Sequence, residues 1–220
     1  MQIMDFEQAR NNMVEQQIRT WEVLDQTVLD AISQIARDEF VPEAYRNLAY
    51  SDTSIPLGYG EYMMTPKLEA RIVQALNLTS NDRVLEIGTG SGYLTALLAH
   101  CGGHVVSIEI VPGLLENAKA RLSDQTISNV MIEQGDGLAG WKVAEPYEAI
   151  VLTGSVANAP ADIGHQLTIG GRLFMVIGES PAMEAVLLTR VGENEFSRES
   201  LFETDLKPLI GGETVSRFKF

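Results

Sequence analysis

Three acids, Glu86, Glu109 and Asp136, and one glycine-dense segment, Gly88-Thr89-Gly90-Ser91-Gly92, carry the chemistry legible in this 220-residue chain. Alternating glycines remove Cβ atoms where a ligand approaches the backbone, and the start of the following helix offers unpaired N–H groups. The order G-x-G-x-G differs from the G-x-G-x-x-G of dinucleotide sites, whose third glycine permits close helix–strand packing. Glu86 lies in the strand that feeds the turn. A carboxylate there suits a ligand with an ammonium or sulfonium group better than a pyrophosphate. Glu109 follows the turn by about twenty residues, the offset at which an acid reaches a ribose diol, and one carboxylate can accept both hydroxyls. Asp136 with Gly137 fits an adenine edge, accepting from its exocyclic amine.

These residues need a sheet to align them. Arg83–Ile87 reads as a buried strand, Gly88–Gly92 as the turn and Tyr93–Ala99 as a helix too apolar to be exposed. Val105–Ile110 is predicted as the next strand, Pro112–Leu122 as a helix, and NVMIEQGDG as a third strand ending at Asp136. EAIVLTG is the fourth strand. A short helix follows over Asp162–Leu167, then a turn at Gly170-Gly171 into a strand over Arg172–Ile177. AMEAVLLTRV and EFSRESLFETD alternate like an antiparallel pair. This succession predicts an α/β fold with a mostly parallel sheet, helices on both faces and a mixed edge. Ligands of such sheets bind outside the carboxyl ends of the strands, where all three acids fall.

Ahead of this core, Asp5 and Asp25 are placed to cap two amphipathic helices, the first reaching about Arg19 and forming a capping box with Gln8. The aromatic stretch around Pro42 reads as compact and irregular. Pro56, Gly58, Gly60 and Pro66 mark residues 55–66 as a loop, yet Tyr59, Tyr62, Met63 and Met64 make it unusually apolar, as expected of a loop folded over a site. Thr65 precedes Pro66 at a helix start. One domain is expected, residues 1–65 forming a helical cap on a cofactor-binding core at 66–220.

Composition narrows the partners. A net charge of −14 disfavours a nucleic-acid substrate, and the basic residues gather only sparsely, at the terminal VSRFKF. No apolar run is long enough for a membrane span, and the N-terminus lacks the pattern of a signal peptide. A single cysteine, Cys101, fits a reducing, cytoplasmic setting and reads as a packed thiol. His100, His104 and His165 share no spacing, so no metal site is expected.

The glycine turn and its preceding acid resemble the first motif of the S-adenosylmethionine methyltransferases. The resemblance sharpens along the chain. MVEQQI (13–18), DEFVPEAYRNLAYSD (38–52), IPLGYG (55–60), RVLEIGTGSGYLTALLA (83–99), GDGLAGW (135–141), PYEAIVLTGSV (146–156), QLTIGGRLFMVIG (166–178) and LKPLIGG (206–212) resemble, in order and spacing, the protein-L-isoaspartate O-methyltransferase family. That implies S-adenosyl-L-methionine as cofactor and methylation of the α-carboxylate of isoaspartyl residues in damaged proteins or peptides. The expected cofactor contacts are Glu86, Gly88, Thr89, Gly90, Ser91, Gly92, Glu109, Ile110, Asp136 and Gly137.

One stretch departs from the family. Its loop reads Gln-Thr-Ile-Ser-x-Pro, with threonine and serine facing the reacting carboxylate; aligned on Pro66, this chain has Glu61, Tyr62, Met63, Met64 and Thr65. Tyr62 stands in the threonine's place and Met64 in the serine's. Methionine cannot donate a hydrogen bond, and Glu61 repels a carboxylate. Tyr62 and Thr65 are left as the candidate catalytic hydroxyls. A small-molecule acceptor, or cofactor binding without turnover, are the alternatives that this departure opens.

Overall fold

The computed structural model describes residues 5–213, so the VSRFKF ending lies outside the described residues. Helix α1 (Phe6–Met13) starts where Asp5 accepts the amide of Gln8 at 3.0 Å. The Gln8 side chain reaches forward to Asn12 rather than back, so the capping box stays open. The helix does not continue regularly to Arg19. It widens to a π-helical turn at Val14–Ile18, tightens to a 3-10 turn at Arg19–Trp21 and stops at Glu22, whose φ is 61°. Asp25 caps α2 (Gln26–Gln34) through the amide of Val28. Two 3-10 turns, Arg37–Phe40 and Glu43–Leu48, make up the aromatic stretch.

Residues 55–63 are not a loop. They form a small antiparallel hairpin of β1 (Ile55–Gly58) and β2 (Glu61–Met63), with Ile55 opposite Met63 and Pro56 opposite Tyr62. Tyr59 and Gly60, both with positive φ (55° and 80°), make the two-residue turn. An isolated two-stranded ribbon leaves Pro56 no neighbour to disappoint on its outer edge. Helix α3 (Pro66–Leu76) follows, with Pro66 at its first turn.

The core is β3 (Arg83–Ile87), α4 (Tyr93–Cys101), β4 (His104–Glu109), α5 (Pro112–Asp124), β5 (Val130–Gln134), β6 (Tyr147–Val156), β7 (Leu167–Glu179), β8 (Ala182–Arg190) and β9 (Phe196–Thr204). They form one seven-stranded sheet in the order β5-β4-β3-β6-β7-β8-β9. The first five strands are parallel, and β8 and β9 return antiparallel. The expected α/β fold with a mixed edge is borne out. Strand β5 ends at Gln134, two residues before the predicted Asp136, and Gly170-Gly171 forms a bulge inside β7 rather than a turn before it.

The chain steps from β3 outward to β4 and β5, then returns to β6 on the other side of β3, which opens a crevice at the carboxyl ends of β3 and β6. One face of the sheet shares a continuous apolar cluster with the N-terminal helices and with α3, α4 and α5. The crossovers to β6 and β7 carry no α-helix. The opposite face is covered by a 3-10 turn at Ile163–Gln166 and by Leu138, Trp141 and Leu209.

Candidate active site

The glycine turn leaves β3 with its backbone anchored across the sheet: the Gly88 amide donates to Ile108 O at 2.8 Å, and that of Gly92 to Thr89 O at 3.0 Å. Gly88 has a φ of +99°, and a Cβ there would lie 2.2 Å from Thr153 Oγ1. Thr153 donates to the carbonyls of Ile87 and Gly88, at 2.9 and 2.8 Å. It stands where the register of β6 with β7 slips between Val151 and Ser155, a bulge that turns Thr153 and Gly154 toward the crevice.

Glu109 ends β4 almost wholly buried. Its Oε2 accepts the amide of Gly90 at 2.8 Å and its Oε1 that of Val111 at 2.9 Å. A carboxylate has about four acceptor sites, so two remain for the cavity that Glu109 lines. Asp136 lies beyond β5 in a tight turn, accepting the amide of Leu138 at 3.0 Å. The Trp141 indole braces this turn by packing against Gly135 and donating to Glu133 at 3.1 Å.

Glu86 is differently placed. It is fully buried on the α4 side of β3, where Oε2 accepts the hydroxyls of Thr95 (2.5 Å) and Ser107 (2.6 Å). Ser107 is linked in turn to Thr89 at 2.6 Å. Burial pushes the Glu86 carboxyl up to about 8, against the opposing hydroxyls, so it is largely a neutral acid at pH 7.

The hairpin forms the roof. Leu57 packs 3.5 Å from where a Gly90 Cβ would stand, and the Tyr59 ring lies over Gly113 in the first turn of α5. Below the hairpin, a buried Arg37 donates to Ala49 O and Met64 O, each at 2.5 Å, and pairs with Glu69 at 3.0 Å. The last wall is the segment 205–210, tied to β6 by the Ser155 amide to Lys207 O, the Leu209 amide to Ser155 O and the Ser155 hydroxyl to Leu206 O. Lys207 Nζ closes an ion pair with Glu61 across the mouth.

These parts enclose a cavity of about 300 Å³. Of the residues expected in the site, Gly88, Gly90, Glu109, Ile110, Asp136, Gly137 and Tyr62 line it. Glu86, Thr89, Ser91, Gly92 and Thr65 do not. Glu86 and Thr89 belong to the buried network under the turn, Ser91 accepts the amide of Tyr93, and Gly92 packs on α5 against Ala118 and Leu122. Thr65 caps the start of α3 with its backbone, its carbonyl accepting the amides of Leu68 and Glu69. The sequence reading missed Thr153, Ser54, Leu57 and Lys207 as cavity residues and Arg37 as the anchor of the hairpin. A hydroxyl at the carboxyl end of a fourth strand and a lysine in LKPLIGG were the available signals. Among the described residues no cluster of three metal-ligating side chains occurs.

Comparison with known proteins places this geometry. The profile of the protein-L-isoaspartate(D-aspartate) O-methyltransferases matches residues 8–214. The chain belongs to this family. A protein-L-isoaspartate O-methyltransferase 1 of Rhodopseudomonas palustris (strain HaA2) is 42% identical over 94% of this chain and 85% of its own length. A protein-L-isoaspartate O-methyltransferase of Aliivibrio fischeri (strain ATCC 700601 / ES114) is 38% identical over 93% and 98%. A solved protein-L-isoaspartate O-methyltransferase superposes with a TM-score of 0.80 at 27% identity, over 91% of this chain and 65% of that longer one. A Plasmodium falciparum structure described as a complex with S-adenosyl-L-homocysteine shares the fold, with a TM-score of 0.77 at 18% identity over 94% and 99%. The family expected from the ordered motifs is therefore borne out, including across the stretch where the hairpin departs from its pattern.

Proposed function

We propose that this family member is an S-adenosylmethionine-dependent O-methyltransferase acting on the α-carboxylate of isoaspartyl residues in proteins and peptides. The observation that carries the reading is the crevice cavity itself, with the glycine turn on its floor and the doubly anchored Glu109 in its wall. Its residues fit the cofactor. Glu109 keeps free acceptor sites for a ribose diol, Asp136 and Gly137 offer an adenine edge, and Ile108, Ile110 and Leu114 supply apolar walls. The acid-rich lining suits a ligand with a sulfonium and an ammonium.

S-adenosylmethionine supplies an electrophilic methyl group. Transfer to a carboxylate oxygen moves no proton, so the chain needs no general base. Its residues orient the acceptor in line and keep water out. The hairpin serves both ends: Leu57 covers the glycine turn, while Tyr62, Met63 and Met64 face the acceptor space. Tyr62 is the hydroxyl of the hairpin that lines this space, and Ser54, the residue before β1, lines it as well. These two take the positions from which a hydroxyl can reach the acceptor.

An apolar small-molecule acceptor is the second reading, favoured by the methionine lining. The acidic chain speaks against a nucleic-acid acceptor, and no helix among the described residues is long and apolar enough to cross a membrane. A single, buried cysteine suits work in the cytoplasm. The test compares methyl transfer to an isoaspartyl peptide by the wild type and by the Tyr62→Thr, Met64→Ser double variant. Wild-type turnover supports the first reading. Turnover only in the double variant contradicts it and favours another acceptor.

A further inference from the structure

The cavity carries a charge problem that the glycine turn does not solve. Glu61, Glu109, Asp136 and Asp205 line it, so an anionic acceptor enters a space already rich in negative charge. Among the described residues lining it, the one basic side chain is Lys207. Its backbone is fixed to β6 by the hydrogen bonds around Ser155, so the ammonium is presented from a rigid wall rather than a free tail. Its present partner is Glu61, the first residue of β2, opposite it across the mouth.

We propose that Lys207 is the anchor for the acceptor's carboxylate, and that Glu61 holds that place as a resident carboxylate until the acceptor displaces it. The inference rests on the isoaspartyl reading and names the residue that would select for it. A Lys207–Glu61 pair is partly open to solvent at both ends, with side chains 43% and 22% exposed, so exchanging one carboxylate for another costs little. The exchange also explains why a glutamate is tolerated in front of an anionic substrate: its charge is neutralised in the resting protein and moves aside in the complex. Because Glu61 belongs to the hairpin that roofs the cavity, the same displacement loosens the roof on the acceptor side, while Tyr59 on Gly113 keeps the cofactor side closed.

The pair could instead be a plain strap holding the hairpin down, and the two roles predict opposite signs. If it is a strap, breaking it from either end has the same effect. If Lys207 is the anchor, Lys207→Met raises the KM for an isoaspartyl peptide by about tenfold or more, the scale of a charged hydrogen bond. Glu61→Gln, which frees the ammonium, lowers the KM. Lys207→Arg retains most of the wild-type KM. Affinity for S-adenosylhomocysteine, measured by calorimetry on the same proteins, stays within about twofold in all three, below the resolution of one hydrogen bond. KM values that rise together in Lys207→Met and Glu61→Gln, or a Lys207→Met KM equal to that of the wild type, overturn the anchor and leave the isoaspartyl reading standing. A wild type that binds S-adenosylhomocysteine but transfers no methyl group to the isoaspartyl peptide overturns both.

Discussion

At the scale of single residues, Glu109 and Gly88 shape the cavity in different ways. Glu109 spends two acceptor sites on the amides of Gly90 and Val111, and that fixes the remaining two toward the cavity. Glu109→Ala is expected to weaken S-adenosylmethionine by about 1–3 kcal/mol, the scale for charged hydrogen bonds, as read by calorimetry; unchanged affinity refutes the ribose role. Gly88→Ala meets two obstacles, the Thr153 hydroxyl 2.2 Å from the new Cβ and a φ of +99°. Removing the hydroxyl in a Thr153→Ala background should recover part of the lost thermal stability, but not the part due to the backbone, about 1–2 kcal/mol. Full recovery would show that the clash alone makes glycine necessary there. The spacing from the glycine turn to Glu109 is local and reads directly from the sequence. Thr153 and Lys207 were hidden because their partners, Gly88 and Glu61, lie 65 and 146 residues away. Only the fold brings them together.

At the scale of elements, the buried network under the glycine turn makes stability depend on pH. Glu86 titrates near 8 in the folded chain against an ordinary value of 4.5, so between these limits the folded state holds a proton that the unfolded state has released. Stability is therefore lost as pH rises from about 4.5 to 8, with a contribution of at most about 1.4 kcal/mol per pH unit. Glu86→Gln, neutral at every pH and still able to accept from Thr95 and Ser107, should flatten this component in urea titrations. An unaltered pH profile would mean that Glu86 is charged when folded. The hairpin makes a second prediction. A methyl group at Gly113 displaces the exposed Tyr59 ring, so Gly113→Ala should leave global stability within about 0.5 kcal/mol of wild type. It should raise hydrogen exchange across residues 57–63; unchanged exchange would mean the tip is not docked through Tyr59. The sequence of this element reads as a loop because Pro56, Gly58 and Gly60 are poor strand formers. Those residues are tolerated because an isolated ribbon needs only one paired edge, and its turn requires positive φ. In the first helix the expected extent holds but the helix type changes: apolar spacing persists through Ile18 and helical backbone runs on to Trp21, while it widens to a π turn at Val14–Ile18.

At the scale of the whole molecule, the switch point between β3 and β6 is where the α/β order, the strand-end acids and the family's motifs converge. The alternation of strands and helices made this sheet legible in advance, since its central strands β3, β4 and β6 carry buried apolar runs. The roof and the far wall were less legible, because their contacts join residues 55–63 to residues 205–210, from opposite ends of the chain, with no local pattern to mark them. The most direct test of the central claim is incorporation of labelled methyl from S-adenosylmethionine into two peptides that differ only in an isoaspartyl or an ordinary aspartyl linkage. A base-labile methyl ester on the isoaspartyl peptide, with none on its aspartyl counterpart, is the predicted result. Equal labelling of both peptides, or no labelling by a protein that binds the cofactor, would contradict it.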